Sequence, residues 1–236
     1  MPLLRNIWLA IFLLGDIMAQ SILGFNNLDE FFAFHAAPAI AGIKPANLFS
    51  CPAGLMPQAE KIHPVVALRK KTKDKEKPMG EKDITEKILA DYEKQFKDSH
   101  TRFKLLCRCR AHILILVYDT ELTEKIFHKK VIQNYLARFG YEANTGVQDF
   151  LNQIAAKIAG GESFPHEIGI ILGYPPEDIE GFKRYKGRNF KCCGYWKVYG
   201  NAERAQKMFD AYTLCREKLM QALQDGVTLK VAAAAI

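Results

Sequence analysis

RFKLLCRCRAHILILVYD, residues 102 to 119, holds two β-prone runs separated by about two residues, Arg110 and Ala111. Runs of this length and composition with so short a link read as an antiparallel hairpin. Ile113 to Val117 is apolar at every position, so the second strand is expected at the centre of its sheet. A hairpin with helical patterns on both sides and no regular βαβ alternation predicts an α+β fold: one domain, with a small, largely antiparallel sheet packed with several helices.

Upstream, EKDITEKILADYEKQF (residues 81 to 96) sets Ile84, Ile88, Leu89 and Tyr92 at helical spacing. Further upstream, Asn27 is an N-cap signal with acidic residues in the turn that follows. The apolar helix it opens is expected to end or bend at Pro38. A loop with Gly42, Pro45 and Pro52 comes next. Downstream, helical patterns cover residues 121 to 128, 130 to 139, 146 to 159 and 165 to 172. YPPEDIEGFKRYKG (174 to 187) puts prolines where a helix starts and glycine where it stops. Residues 190 to 200, FKCCGYWKVYG, read as a further strand, 202 to 223 as a long amphipathic helix and 228 to 232 as a last strand. The single domain is expected over 21 to 55 and 83 to 236, with 56 to 82 a polar, lysine-rich linker or insertion.

The chain has 236 residues, 49% hydrophobic and 25% charged, with a formal net charge of +7. RKKTKDKEK (69 to 77) carries six basic and two acidic residues and no apolar residue to bury, so it reads as a solvated loop. The body left over is nearly neutral, which speaks against nucleic acid as a partner. The six cysteines, at 51, 107, 109, 192, 193 and 215, lack the spacing of a small disulfide framework and suit reduced thiols in a cytoplasm. Residues 1 to 20 are signal-like, with one arginine, the apolar run from Ile7 to Leu14 and Ala19-Gln20-Ser21. They read as a translated leader if synthesis starts at Met18, or as a signal peptide. The run is too short for a stable membrane span of about 20 apolar residues.

Treated as one strand, residues 191 to 199 put Cys192, Gly194, Trp196 and Val198 on a core face. Lys191, Cys193, Tyr195, Lys197 and Tyr199 then share the opposite face. Lysines interleaved with tyrosines suit an anionic, planar ligand, and equally an outer sheet face where lysine stems cover rings. His166 and Glu167 fall in the first turn of a helix, where the dipole favours a carboxylate and a neutral imidazole, leaving His166 open as a base, a ligand or a packed side chain. His35 ends an apolar helix, and Lys44 lies in the loop beyond. Neither CC nor CRC offers paired zinc-ligand spacing, so a metal would need His35, His166 and Cys192 brought together from afar. G-x-S-x-G, P-loop, G-x-G-x-x-G and H-E-x-x-H motifs are all missing from the sequence, and no cofactor is named by it.

Three phrases, FHAAPAIAGIKPANLFSC (34 to 51), FPHEIGIILGYPPEDIEGF (164 to 182) and KCCGYWKVYG (191 to 200), together resemble a family of uncharacterised bacterial proteins, a domain of unknown function common in anaerobic Gram-positive bacteria. His35, Pro38, Gly42 and Lys44 match the first phrase, with Ala36 where the family has cysteine. His166, Glu167, Gly169, Gly173, Tyr174 and Pro175 match the second. Cys192, Gly194, Trp196, Lys197, Val198 and Tyr199 match the third, and Cys193 stands where other residues are usual. The resemblance implies an association with redox or iron physiology and no mechanism. The leading expectation is a cytoplasmic binding or accessory protein in which His35, Lys44, Lys197 and Tyr199, with His166 and Glu167, line one pocket for a small anionic or redox-related ligand. The alternatives are an enzyme using His166 as general acid or base, a metal or haem protein, and an interaction module for a redox partner protein.

Overall fold

The structure, a computed structural model, describes residues 25, 27–52, 81–108, 112–142, 145–160 and 164–236. The leader expected over residues 1 to 20 and the lysine-rich stretch up to residue 80 lie outside these.

The hairpin forms as its sequence demands: β2 (Thr101–Arg108) pairs antiparallel with β3 (His112–Asp119), with a bulge between Leu105 and Cys107. β3 is central in a three-stranded sheet of order β1-β3-β2. The third strand, β1 (Ala46–Pro52), falls where a loop was expected; it pairs with β3 so that Phe49 faces Ile115. Pro45 and Pro52 suggested a loop, but prolines at the ends of an edge strand forfeit no ladder bond.

Every residue of β3 after His112 is buried because helices cover both faces of the sheet. Ile113, Ile115 and Val117 point into one core with Phe49 and Phe103. That layer is closed by α1 (Leu28–Ile40), α2 (Glu81–Gln95), the C-terminal half of α8 (Ala202–Gln224) and α9 (Leu229–Ala234). Leu114, Leu116 and Tyr118 point into the other core. There they meet α3 (Thr120–Phe127), α4 (Lys130–Ala137), α5 (Val147–Gly160), α6 (Ile168–Ile171), α7 (Pro176–Tyr185) and the N-terminal half of α8. The α+β class therefore holds, as helix, sheet and helix layers.

Asn27 caps α1, its side chain accepting from the Glu30 N–H at 2.9 Å. Pro38 does not stop the helix, which ends two residues later, where the Pro38 carbonyl accepts the Ile43 and Lys44 N–H groups. Of residues 228 to 232, expected as a strand, Thr228 is the N-cap of helix α9 and the rest belong to the helix. Leu229, Ala232 and Ala233 recur at helical spacing and all three are buried, so the alanines and this packing outweigh the β-branched Thr228 and Val231.

Residues 190 to 200 form a tight hairpin instead of one strand. β4 (Cys192–Cys193) pairs with β5 (Lys197–Val198) across a three-residue turn. The turn breaks the alternation. Trp196 is buried as expected, but Tyr195, assigned to the outer face, is buried too, 5.2 Å from Tyr212 and 5.8 Å from Phe209, ring centre to ring centre.

Candidate functional site

One carboxylate fastens the hairpin to α7. Prolines 175 and 176 start this helix, so Asp178 falls in its first turn, with its side chain buried beneath the hairpin. Trp196 Nε1 donates to Asp178 Oδ2 at 2.8 Å, and the N–H groups of Tyr199 and Gly200 both donate to Oδ1 at 2.7 Å. Two glycines permit the close approach. A Cβ on Gly181 would lie 2.4 Å from the Tyr199 ring, and one on Gly194 would lie 2.3 Å from the Phe209 ring.

Beside this junction His166, Tyr174, Asp178, Phe182, Trp196 and Lys197 line a crevice with about 10 Å³ of free space, room for about one water molecule. His166 precedes the short helix α6, and its ring lies 5.3 Å from that of Phe182. Its Nδ1 is buried and has no hydrogen-bond partner. Burial lowers the proton affinity of this imidazole, the charge of Lys183 lowers it further, and Glu167 opposes both, so the neutral form is favoured. Lys197 donates to the Gly187 carbonyl at 3.0 Å, with its ammonium 5.2 Å from the centre of the Phe190 ring.

Lys44 reaches the same neighbourhood from the first phrase. It is 2% exposed, donates to the Ala46 carbonyl at 2.5 Å and stands 5.6 Å from the Tyr174 ring centre. Tyr174 in turn lies 5.0 Å from Trp196 and donates to the Tyr195 carbonyl at 3.1 Å. Gly173, at φ +79°, lets this corner close on Pro45. Tyr174 thus connects all three sequence phrases.

The other expected site residues go elsewhere. His35 belongs to an aromatic nest on the far side of the sheet, stacked on Phe49 at 5.2 Å and near Phe31 at 4.6 Å. Burial there, with Arg216 nearby, lowers its pKa to about 4. Glu167 turns away from His166. Its Oε1 accepts from Lys157 at 2.8 Å and from the Tyr141 hydroxyl at 3.1 Å, and Lys157 also donates to that hydroxyl at 2.9 Å. Tyr199 stacks on Tyr185 at 5.8 Å, its own hydroxyl buried without a partner. Cys192 is half-buried against the core that holds Leu114 and Leu116, and Cys193 is exposed. Among the described residues no three His, Cys, Asp or Glu side chains form a group that could hold a metal ion.

Sequence reasoning missed Asp178. Its signal was a carboxylate three residues after Pro175, followed by a glycine three residues on, but the partners lie about 20 residues away and only the hairpin delivers them. A roomier concavity, about 600 Å³, opens between Ile43 and the first turns of α8, where Lys207 pairs with Glu203 at 2.8 Å.

The chain belongs to the family described as Protein of unknown function (DUF3793), which matches residues 32–232. No curated protein and no solved structure matches it. Among the described residues no helix is long and apolar enough to cross a membrane.

Proposed function

We propose that this member of the family is a binding or accessory protein that takes a small anionic ligand at the His166 crevice. One carboxylate or phosphate oxygen enters, and the body of the ligand rests on the rim at Lys197, with the charge of Lys183 near enough to act on His166. The observation that carries this reading is the buried, unpartnered Nδ1 of His166 at a crevice of single-oxygen size. A buried polar atom left unpaired costs about 1–3 kcal/mol, so an incoming group that pairs with it recovers that cost. Two features favour an anion over water. A neutral imidazole with its proton on Nδ1 donates, and Lys183 and Lys197 supply positive charge. Asp178, already accepting three hydrogen bonds, has little capacity left for another donor.

The test is histidine side-chain NMR of the whole chain titrated with inorganic phosphate, pyrophosphate and succinate. The expected result is a saturable shift of the His166 resonances with at least one of these, lost in His166→Phe and weakened in Lys197→Met. An unmoved His166 at millimolar concentrations of all three overturns the reading.

The neutral imidazole also favours a second reading, in which His166 works as a general acid or base on the bound anion. A His166→Ala variant that keeps full turnover of a bound ligand eliminates it.

A further inference from the structure

Between Gly181 and Ala202 the chain carries six Lys or Arg and no Asp or Glu. Together with the excess in residues 69 to 77 this exceeds the net +7 of the whole chain, so the remainder is net acidic and the basicity is concentrated. On the described residues the concentration is a surface. Lys183, Arg184, Lys186, Arg188 and Lys191 are exposed along the end of α7 and the turn into β4. Cations at the end of a helix complement its dipole. That accounts for Lys183, Arg184 and Lys186; Lys191 donates to the Gly200 carbonyl at 2.6 Å, which leaves Arg188 beyond the helix unexplained.

Aromatic rings stand among these charges. Tyr185 is 42% exposed and Phe190 is 40% exposed. Each is braced by a neighbour: Tyr185 stacks on Tyr199 with the planes 14° apart, and Phe190 lies under the Lys197 ammonium. The turn that carries them is pinned in an unusual backbone. Lys186 and Asn189 have φ of 49° and 56°, a left-handed conformation sparsely populated by residues other than glycine. It is tied by Gly187 N–H to the Phe182 carbonyl at 3.1 Å, Arg188 N–H to the Tyr185 carbonyl at 3.0 Å and Lys191 N–H to the Val198 carbonyl at 2.8 Å. The rings, and the backbone that carries the charges, are therefore held in place before any partner arrives.

We propose that this face, from the end of α7 through the 186–191 turn, binds single-stranded nucleic acid, with Lys186 and Arg188 on phosphates and Tyr185 and Phe190 as stacking platforms. Fixed rings interleaved with solvated cations match a flexible polyanion of stacked bases. A duplex keeps its bases paired and offers no free ring faces. An acidic protein is a poorer fit, because interfaces that exclude water are depleted in lysine, and lysines make up four of the six cations here. The expectation against nucleic acid drawn from the sequence treated the body outside residues 69 to 77 as evenly neutral. The folded chain separates that body into a basic face and an acidic remainder.

Fluorescence anisotropy with labelled oligothymidylate and oligouridylate of about 20 nucleotides, longer than one typical site of 4–16, tests the proposal across a salt series. The full chain is expected to bind with the logarithm of its affinity falling linearly in log salt. Lys186→Gln with Arg188→Gln should reduce that slope by about 1.4, or 0.7 per phosphate contact. Tyr185→Ala and Phe190→Ala should weaken binding roughly 5- to 150-fold each at constant salt with the slope unchanged. A chain with the lysines of residues 69 to 77 changed to glutamine should retain this ring dependence. Tyr185, Lys186, Arg188 and Phe190 are exposed, and unchanged circular dichroism melting verifies the fold of every variant. No binding at low salt, ring variants that bind like the parent, equal affinity for a duplex, competition by polyglutamate as effective as by the oligonucleotide, or loss of all binding in the 69 to 77 variant each overturns it. Of these substitutions only Phe190→Ala reaches a crevice residue, through the ring contact with Lys197; with the Tyr185 and Lys186/Arg188 variants the anion response of the crevice and this surface fail or hold separately.

Discussion

Removing the Asp178 carboxylate should uncouple the 190–200 hairpin from α7. Asp178→Ala strips the acceptor from three donors at once: Trp196 Nε1 and the N–H groups of Tyr199 and Gly200. Trp196 is 2% exposed, so the loss of its buried acceptor costs about 1–3 kcal/mol; the two backbone groups belong to half-buried residues and lose roughly 1 kcal/mol each. The expected loss is about 3–5 kcal/mol, a large share of the 5–15 kcal/mol that stabilises a typical domain. Asp178→Asn isolates one bond. Its amide oxygen can still accept from Tyr199 and Gly200, but its NH2 then confronts the indole N–H, donor against donor, for an expected loss of about 1–3 kcal/mol. Trp196→Phe removes the opposing donor, so the double variant Asp178→Asn/Trp196→Phe should be more stable than the sum of the single losses by roughly 1 kcal/mol or more. Urea unfolding followed by far-UV circular dichroism measures all four corners of this cycle, with an unchanged denaturant slope as the check that the unfolded state is the same. An Asp178→Ala protein within about 0.5 kcal/mol of the parent, the range of ordinary surface changes, refutes the reasoning.

Stability should fall in acid because of His35. Its folded pKa of about 4 lies below the ordinary 6.5, so its contribution is intact above pH 6.5 and is lost as pH falls from 6.5 to 4, where the unfolded chain binds a proton that the fold refuses. The loss amounts to at most about 3 kcal/mol, and in pH-dependent urea melts His35→Phe should remove it; an identical pH profile for the two proteins counts against the burial argument. Gly194→Ala should destabilise by about 1–3 kcal/mol, because its Cβ would lie 2.3 Å from a Phe209 ring already held by Trp196 and Tyr195. Combining it with Phe209→Leu should restore part of the loss in thermal melts, and no restoration disproves the clash. Lys157→Met should cost about 1–2 kcal/mol by leaving the buried Glu167 carboxylate with Tyr141 alone, a figure below that for fully buried pairs because Lys157 is partly exposed. A denaturation midpoint equal to that of the parent would remove this ion pair from the list of stabilising contacts.

Local pattern in the sequence was sufficient wherever one segment's own periodicity met its burial. The β2–β3 hairpin, the central place of β3, the Asn27 cap and the helices downstream of the hairpin are all legible from residues a few positions apart. β1 and α9 were not. β1 is defined by its pairing with β3, about 65 residues on, and α9 by a core that Leu229, Ala232 and Ala233 reach only once α8 is in place. The candidate site divides in the same way. The phrases containing Lys44, His166 and Lys197 stood out as sequence, yet whether they share a neighbourhood depends on Tyr174 and Asp178, whose partners come from distant segments. His35, one of the most suggestive positions in the chain, went to the opposite face of the sheet, because α1 packs there on Phe49. By itself the sequence determined the β2–β3 hairpin and most of the helices, since those preferences are local. Tertiary structure alone decided which side chains meet, which turn 190–200 makes and where the positive charge gathers, because burial and hydrogen-bond satisfaction are settled between segments that share no local pattern.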